Sequence, residues 1–366
     1  MSVFLAAISV FAAVNLCLAY GYERARQLQC GLPVADHELC DRYLRNIRVW
    51  DEAAIDSAIG SVPAHPNVVL AGSSAMIAPF WSADRSADKR VSSRLWLHHT
   101  ANLLTDECES KTVTPLSIYN IATPLQMVSD TYVYCDKLLK GPTRPSLLLL
   151  GVTPREFYDH DFPEPDKTLN FLAAAPYSNW NYLNVYSPTW QSRFDYLAEQ
   201  LSFVYSKRSV LQTALVDEER RYADRHLPTA EKERGFYSLG IEQYMRRYTG
   251  FTVTRMEPQL RYLQLLSALC QKRDTELAVI NLPVPSANRI LLGDEYEGYC
   301  KRLKDEVQSL RGDVDYIDLS HSPLFPDGDF ADAIHLDAAG GKTLIGILAP
   351  YIRKELADGD HQIAAM

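Results

Sequence analysis

The sequence has no C-x-x-C pair and no cysteine–histidine cluster at zinc spacing. The adjacent His98 and His99 project in divergent directions on any regular element, so no structural metal is expected. Seven cysteines in 366 residues are too few for a disulfide scaffold. With Cys17 set aside six remain, an even number compatible with pairing, and Cys30 and Cys40 are the nearest pair. Positive charge is in deficit: 37 Lys plus Arg face 46 Asp plus Glu, a net charge of -9, which is the wrong sign for a polyphosphate binder and argues against nucleic acid as a partner. Neither G-x-G-x-x-G nor a Walker loop occurs, which argues against a doubly wound nucleotide binder. Internal repeats and low-complexity tracts are lacking too.

With 47% apolar and 23% charged residues, the chain can bury a full core, in one large α/β domain or two smaller ones. Val3 to Tyr20 carry no charge and would span about 27 Å as a helix, close to the hydrocarbon thickness of a bilayer. An uncleaved anchor over 1–22 is expected; a cleaved signal peptide and a buried helix are the alternatives. No Lys or Arg precedes this segment while Arg24 and Arg26 follow it, a bias that by itself would keep the body cytoplasmic. Residues 23–64 read as a linker and N-terminal helical region, and 357–366 as a tail.

Short apolar runs alternating with helical stretches predict a parallel sheet buried on both faces. The runs are Val68 to Ala71, Leu116 to Ile121, Ser146 to Leu150, Leu277 to Asn281 and Val314 to Leu319. Helices are expected over Pro124 to Leu139, Glu257 to Lys272, Glu295 to Leu310 and Ala338 to Leu356. The fold class is therefore α/β, a three-layer α/β/α sandwich over 65–356 with a central parallel sheet. The alternation breaks over 157–254, where aromatic and polar residues are dense, and this stretch reads as a large insertion or cap. Its run Tyr177, Trp180, Tyr182, Tyr186 and Trp190 suits either sugar stacking or packing of the insertion itself, and the apolar spacing of 196–222 suits a core-facing helix.

Two local patterns carry chemistry. The first strand runs into Gly72-Ser73-Ser74, placing a serine at the carboxyl end of a strand where a helix begins and amides are available to a developing oxyanion. Near the other end, Asp332-Ala333-Ile334-His335-Leu336 follows the last strand, so His335 falls at the same sheet edge as Ser74. A histidine there can take the serine proton, and a carboxylate three residues earlier can hold the imidazole tautomer. Arg155, directly after a strand, suits either an anionic substrate or an ion pair with Asp159 or Asp161.

In this combination the sequence resembles the SGNH/GDSL hydrolase superfamily. Gly72-Ser73-Ser74 is similar to its G-D-S block with Ser73 in place of aspartate, and Asp332-x-x-His335 to its final block. Within the superfamily the chain looks most like the membrane-anchored, DltD-like and alginate O-acetyltransferase-like branch. That likeness rests on the N-terminal segment, Tyr119-Asn120-Ile121-Ala122-Thr123-Pro124, Gly151-Val152-Thr153-Pro154-Arg155 and Asn281-Leu282-Pro283-Val284-Pro285. The resemblance implies a catalytic triad of Ser74 as nucleophile, His335 as base and Asp332 as orienter. It implies an oxyanion hole from the Ser74 amide with donors at Ala122, Thr123 and Thr153, where the superfamily has glycine and asparagine. Asn120 is an alternative donor and, with Arg155, a candidate substrate contact.

The resemblance further implies an extracytoplasmic, membrane-tethered serine esterase or O-acyltransferase acting on a cell-surface glycan or polymer, with no cofactor. The competing expectation is a catalytically weak partner of a multi-spanning membrane acyltransferase or export complex.

Overall fold

The computed structural model describes residues 9–17, 20, 62, 66–91, 100–110, 115–123, 125–141, 144–160, 202, 241, 244–310, 312 and 314–364. The chain divides into two compact units, Met1–Ala54 with Leu169–Glu233, and Ile55–Thr168 with Arg234–Met366.

In the first unit residues 9–17 are helical, and Val10, Phe11, Val14 and Leu16 on that helix are exposed. Asn15 turns inward, donating from Nδ2 to the Phe11 carbonyl at 2.8 Å and accepting the Ser202 hydroxyl at 3.0 Å on Oδ1. Among the described residues no helix is long and apolar enough to cross a membrane. Much of the expected anchor, the Cys30–Cys40 pair, His98-His99, the aromatic run 177–190 and the helix expected over 196–222 lie outside the described residues, Tyr20 and Ser202 apart.

The second unit is α/β with a five-stranded, wholly parallel sheet of order β2-β1-β3-β4-β5. Its strands are β1 Val68–Gly72, β2 Ile118–Asn120, β3 Leu147–Val152, β4 Glu276–Asn281 and β5 Val314–Asp318. Each lies within two residues, at both ends, of the apolar run that predicts it. Strands β1 and β3 are buried at every position, as expected of runs without alternation that are covered on both faces.

The helices are α1 Ser74–Ala87, α2 Asn102–Glu109, α3 Val128–Lys140, α4 Pro154–Phe157, α5 Glu257–Lys272, α6 Ser286–Leu292, α7 Asp294–Ser309 and α8 Ala338–Ala364. The step from β1 to β2 moves one way along the sheet, and the steps from β2 through β5 move the other way. Right-handed crossovers then put α1 and α2 on one face and α3, α5 and α7 on the opposite face. Accordingly α8 packs on α1 and α2, while α5 packs on α3. The arrangement is compatible with three layers.

Helix α8 meets α1 through a close backbone approach. A Cβ on Gly341 would stand 2.2 Å from the Pro79 carbonyl oxygen, a main-chain atom that has no rotamer with which to retreat. Gly341→Ala is therefore expected to lower stability by about 3 kcal/mol, the upper range for overpacking, and urea unfolding of the full chain measures it. The same contact sets the first turn of α8 against α1.

Candidate active site

Gly72 ends β1 with φ +139, where a Cβ would stand 2.5 Å from the Gly151 carbonyl oxygen, so glycine is required for this turn. Ser73 then caps α1, its Oγ accepting the Ala75 amide at 3.2 Å. Ser74 becomes the first helical residue, partly open to solvent, and its N–H lies in the turn that has no intrahelical acceptor.

The histidine comes from a tight loop after β5. Phe330 and Leu336 form an antiparallel bridge, the Ala331 amide donates to the His335 carbonyl at 2.8 Å, and Asn288 of α6 donates from Nδ2 to the Ala333 carbonyl at 2.9 Å. Within the loop Asp332 Oδ1 accepts the amides of Ile334 at 2.9 Å and His335 at 2.8 Å, and Oδ2 meets His335 Nδ1 at 2.6 Å. The other ring nitrogen, Nε2, lies 2.8 Å from Ser74 Oγ.

Ser74, His335 and Asp332 thus come together in one hydrogen-bonded line although 261 residues separate the first two in sequence. Burial alone would raise the Asp332 pKa, but the hydrogen bonds from the His335 ring and from the two amides outweigh it and hold the carboxyl below its ordinary value. An ionised Asp332 only accepts, so Nδ1 carries the ring proton and Nε2 is left as the acceptor for the Ser74 hydroxyl. This is the ground-state geometry for general-base activation of a serine.

The other expected site residues are placed differently, and the donors expected at Ala122, Thr123 and Thr153 meet acceptors within the fold. The Ala122 amide donates to Asn120 Oδ1 at 2.9 Å. The Thr123 amide is shared between the Gly72 carbonyl at 3.2 Å and Gln126 Oε1 at 2.8 Å. Thr153 gives both protons to Glu156 Oε2, from its amide at 2.7 Å and its hydroxyl at 2.5 Å. A donor already spent on a buried acceptor has nothing to offer an oxyanion, so of the expected set only the Ser74 amide keeps a free direction.

Asn120 is fully buried, donating from Nδ2 to the Met76 carbonyl at 3.2 Å, and touches no open surface. Arg155 is likewise engaged within the fold. It is buried, donates to Asp159 at 3.1 Å, and spends its remaining nitrogens on the Gln126 and Leu125 carbonyls at 3.2 and 3.0 Å. It thereby ties down a loop in which Leu125 has φ +63.

Four groups around the site were not legible as such. Glu156, buried beneath the nucleophile turn, accepts the Ser73 hydroxyl as well as the Thr153 protons. Arg247 pairs with Asp159 from the far end of the expected insertion. Tyr244, three residues earlier, feels Arg155, Arg247, Glu156 and Asp332, and burial pushes its hydroxyl pKa well up. Gln126 Nε2 is a buried donor with no partner. Thr153-x-x-Glu156 is a capping-box signature, a signal in the sequence that points to Glu156.

Among the described residues no group of acidic, histidine and cysteine side chains could hold a metal ion, and Cys17, Cys108, Cys135, Cys270 and Cys300 are not in disulfides. No family model matches the chain, and no curated protein matches it either.

Proposed function

We propose that the chain is a serine-dependent acyl hydrolase or O-acyltransferase of the SGNH kind, built on a three-layer α/β/α sandwich. The observation that carries this reading is the unbroken line from Ser74 Oγ through His335 to Asp332, with Ser74 partly open to solvent at the carboxyl end of β1.

In the first step His335 Nε2 takes the Ser74 proton as Oγ bonds to an ester carbonyl carbon. The carbonyl π pair moves to oxygen, which the Ser74 amide at the start of α1 stabilises. Collapse breaks the ester C–O bond while the imidazolium returns its proton to the leaving alkoxide. Water or an acceptor hydroxyl then repeats the sequence on the acyl-serine and frees Ser74. No step draws on a cofactor. The substrate class proposed is an acylated glycan or similar polymer at the cell surface, reached by a membrane-tethered body on the periplasmic or extracellular side. The uncharged run Val3 to Tyr20 supports the tether.

A second reading is favoured by the spent donors at Ala122, Thr123 and Thr153. A site left with one main-chain donor forgoes about 3 to 4 kcal/mol of transition-state stabilisation per missing group, which suits a weak or inert partner of a membrane-bound acyltransferase.

Labelling of the full chain in detergent with a fluorophosphonate, alongside aryl-acetate turnover, separates the two. Wild type is expected to label and turn over, and Ser74→Ala and His335→Ala to do neither. A folded wild type that is inert in both assays sinks the acyl-transfer reading and leaves the partner reading.

A further inference from the structure

The Glu156 carboxylate binds across the sheet edge. Strands β1 and β3 are neighbours with Gly72 opposite Gly151; β1 ends there and β3 one residue later, at Val152. After β1 comes Ser73, and after β3 come Thr153 and the single turn of α4, whose third residue is Glu156. One carboxylate oxygen takes the Ser73 hydroxyl proton; the other takes the amide and hydroxyl protons of Thr153 at 2.7 and 2.5 Å. The carboxylate therefore joins the two strand ends that flank the nucleophile.

Ser73 has one hydroxyl proton, and giving it to Glu156 fixes the Oγ orientation, so its lone pair faces the Ala75 amide at 3.2 Å and caps α1. Ser74 is the next residue, and its Oγ must stay 2.8 Å from His335 Nε2. Glu156 is 1% exposed and is joined by these hydrogen bonds to no cation, because Arg155 beside it is directed to Asp159. These bonds converge on the turn that carries Ser73 and Ser74, and the neighbouring Arg155 charge also acts on this carboxylate.

The geometry assigns Glu156 as the positioning residue of the nucleophile, acting through Ser73 and touching no substrate itself; the assignment rests on the acyl-transfer reading above. It holds the cap of α1, and with it the Ser74 hydroxyl, in the attacking orientation.

The bond pattern dictates a swap that tests this. Ser73→Asp alone sets two carboxylates against each other at hydrogen-bond range and breaks the bridge. Adding Glu156→Gln restores complementarity, since the new amide nitrogen donates to the new carboxylate while the new amide oxygen still accepts the Thr153 protons. The readout is kcat and KM on an aryl acetate with the full chain, together with the rate of fluorophosphonate labelling.

Glu156→Ala is expected to lower kcat on the order of 10²-fold with KM held within about twofold, the cost of a misplaced nucleophile. Ser73→Asp is expected to fall as far, and Ser73→Asp/Glu156→Gln to recover to within about fivefold of wild type. If Glu156→Ala fails to fold, the comparison of Ser73→Asp with the double variant decides alone. Active wild type with a double variant no better than Ser73→Asp, or a folded Glu156→Ala with unchanged kcat, overturns the positioning role and leaves the acyl-transfer reading standing. A folded, inert wild type overturns both.

Discussion

Asp332→Asn is expected to lower kcat on an aryl ester by about 10⁴-fold while leaving KM nearly unchanged, because it preserves shape and inverts the proton order. Asp332 Oδ1 is committed to the amides of Ile334 and His335, which only donate, so an asparagine at this position keeps its carbonyl there. Its nitrogen then faces His335 Nδ1 and donates to it. The ring proton moves to Nε2, and the ring presents a donor to Ser74 where catalysis needs an acceptor.

The same substitution changes the response to acid. The Asp332 pKa is depressed in the folded protein, so its contribution to stability is complete above the ordinary carboxylate range near pH 4 and is lost as pH falls through the lower folded value. The asparagine variant lacks that loss, and melting curves at about pH 3 and pH 7 separate it from wild type.

Asp159→Ala is expected to have the largest effect on stability, a loss of about 3 to 5 kcal/mol in urea or guanidinium unfolding. Asp159 is fully buried and accepts from two buried arginines, Arg155 and Arg247. Removing it takes from two buried guanidinium groups the carboxylate that both of them bond, in surroundings where water does not substitute. The damage reaches the catalytic edge, since Arg155 holds the Leu125 and Gln126 carbonyls beside the loop that follows β2. Activity is therefore expected to fall at temperatures where the variant remains folded, which a rate measurement well below its melting midpoint checks.

The strands were legible because burial on both faces leaves runs such as Leu147 to Leu150 with no polar alternation to confuse them. Helix α5 matches its expected span of Glu257 to Lys272, whereas α3 begins four residues later than expected, at Val128. The meeting of Ser74, His335 and Asp332 was legible because each half is local: a serine just past a strand, and an aspartate three residues before a histidine. The fold had only to bring two loops to one edge. The oxyanion donors were not legible, because whether an amide is free depends on what its proton meets. At Ala122, Thr123 and Thr153 it meets Asn120, Gln126 and Glu156 across turns that composition does not describe. Arg155 pairs with Asp159, one of the two partners its spacing allowed, but in the interior and not on the surface.

The bond between Arg247 and Asp159 has a topological meaning. The sheet-bearing unit is discontinuous in the chain: it is left after Thr168 and rejoined at Arg234. Just inside those crossing points the His160 amide donates to the Arg247 carbonyl at 2.8 Å, and the Asp159–Arg247 pair reinforces the junction. The described residues that flank the excursion are thus bonded directly to each other. Such a junction uncouples the length of the intervening segment from the geometry of the sheet edge that carries Ser74 and His335.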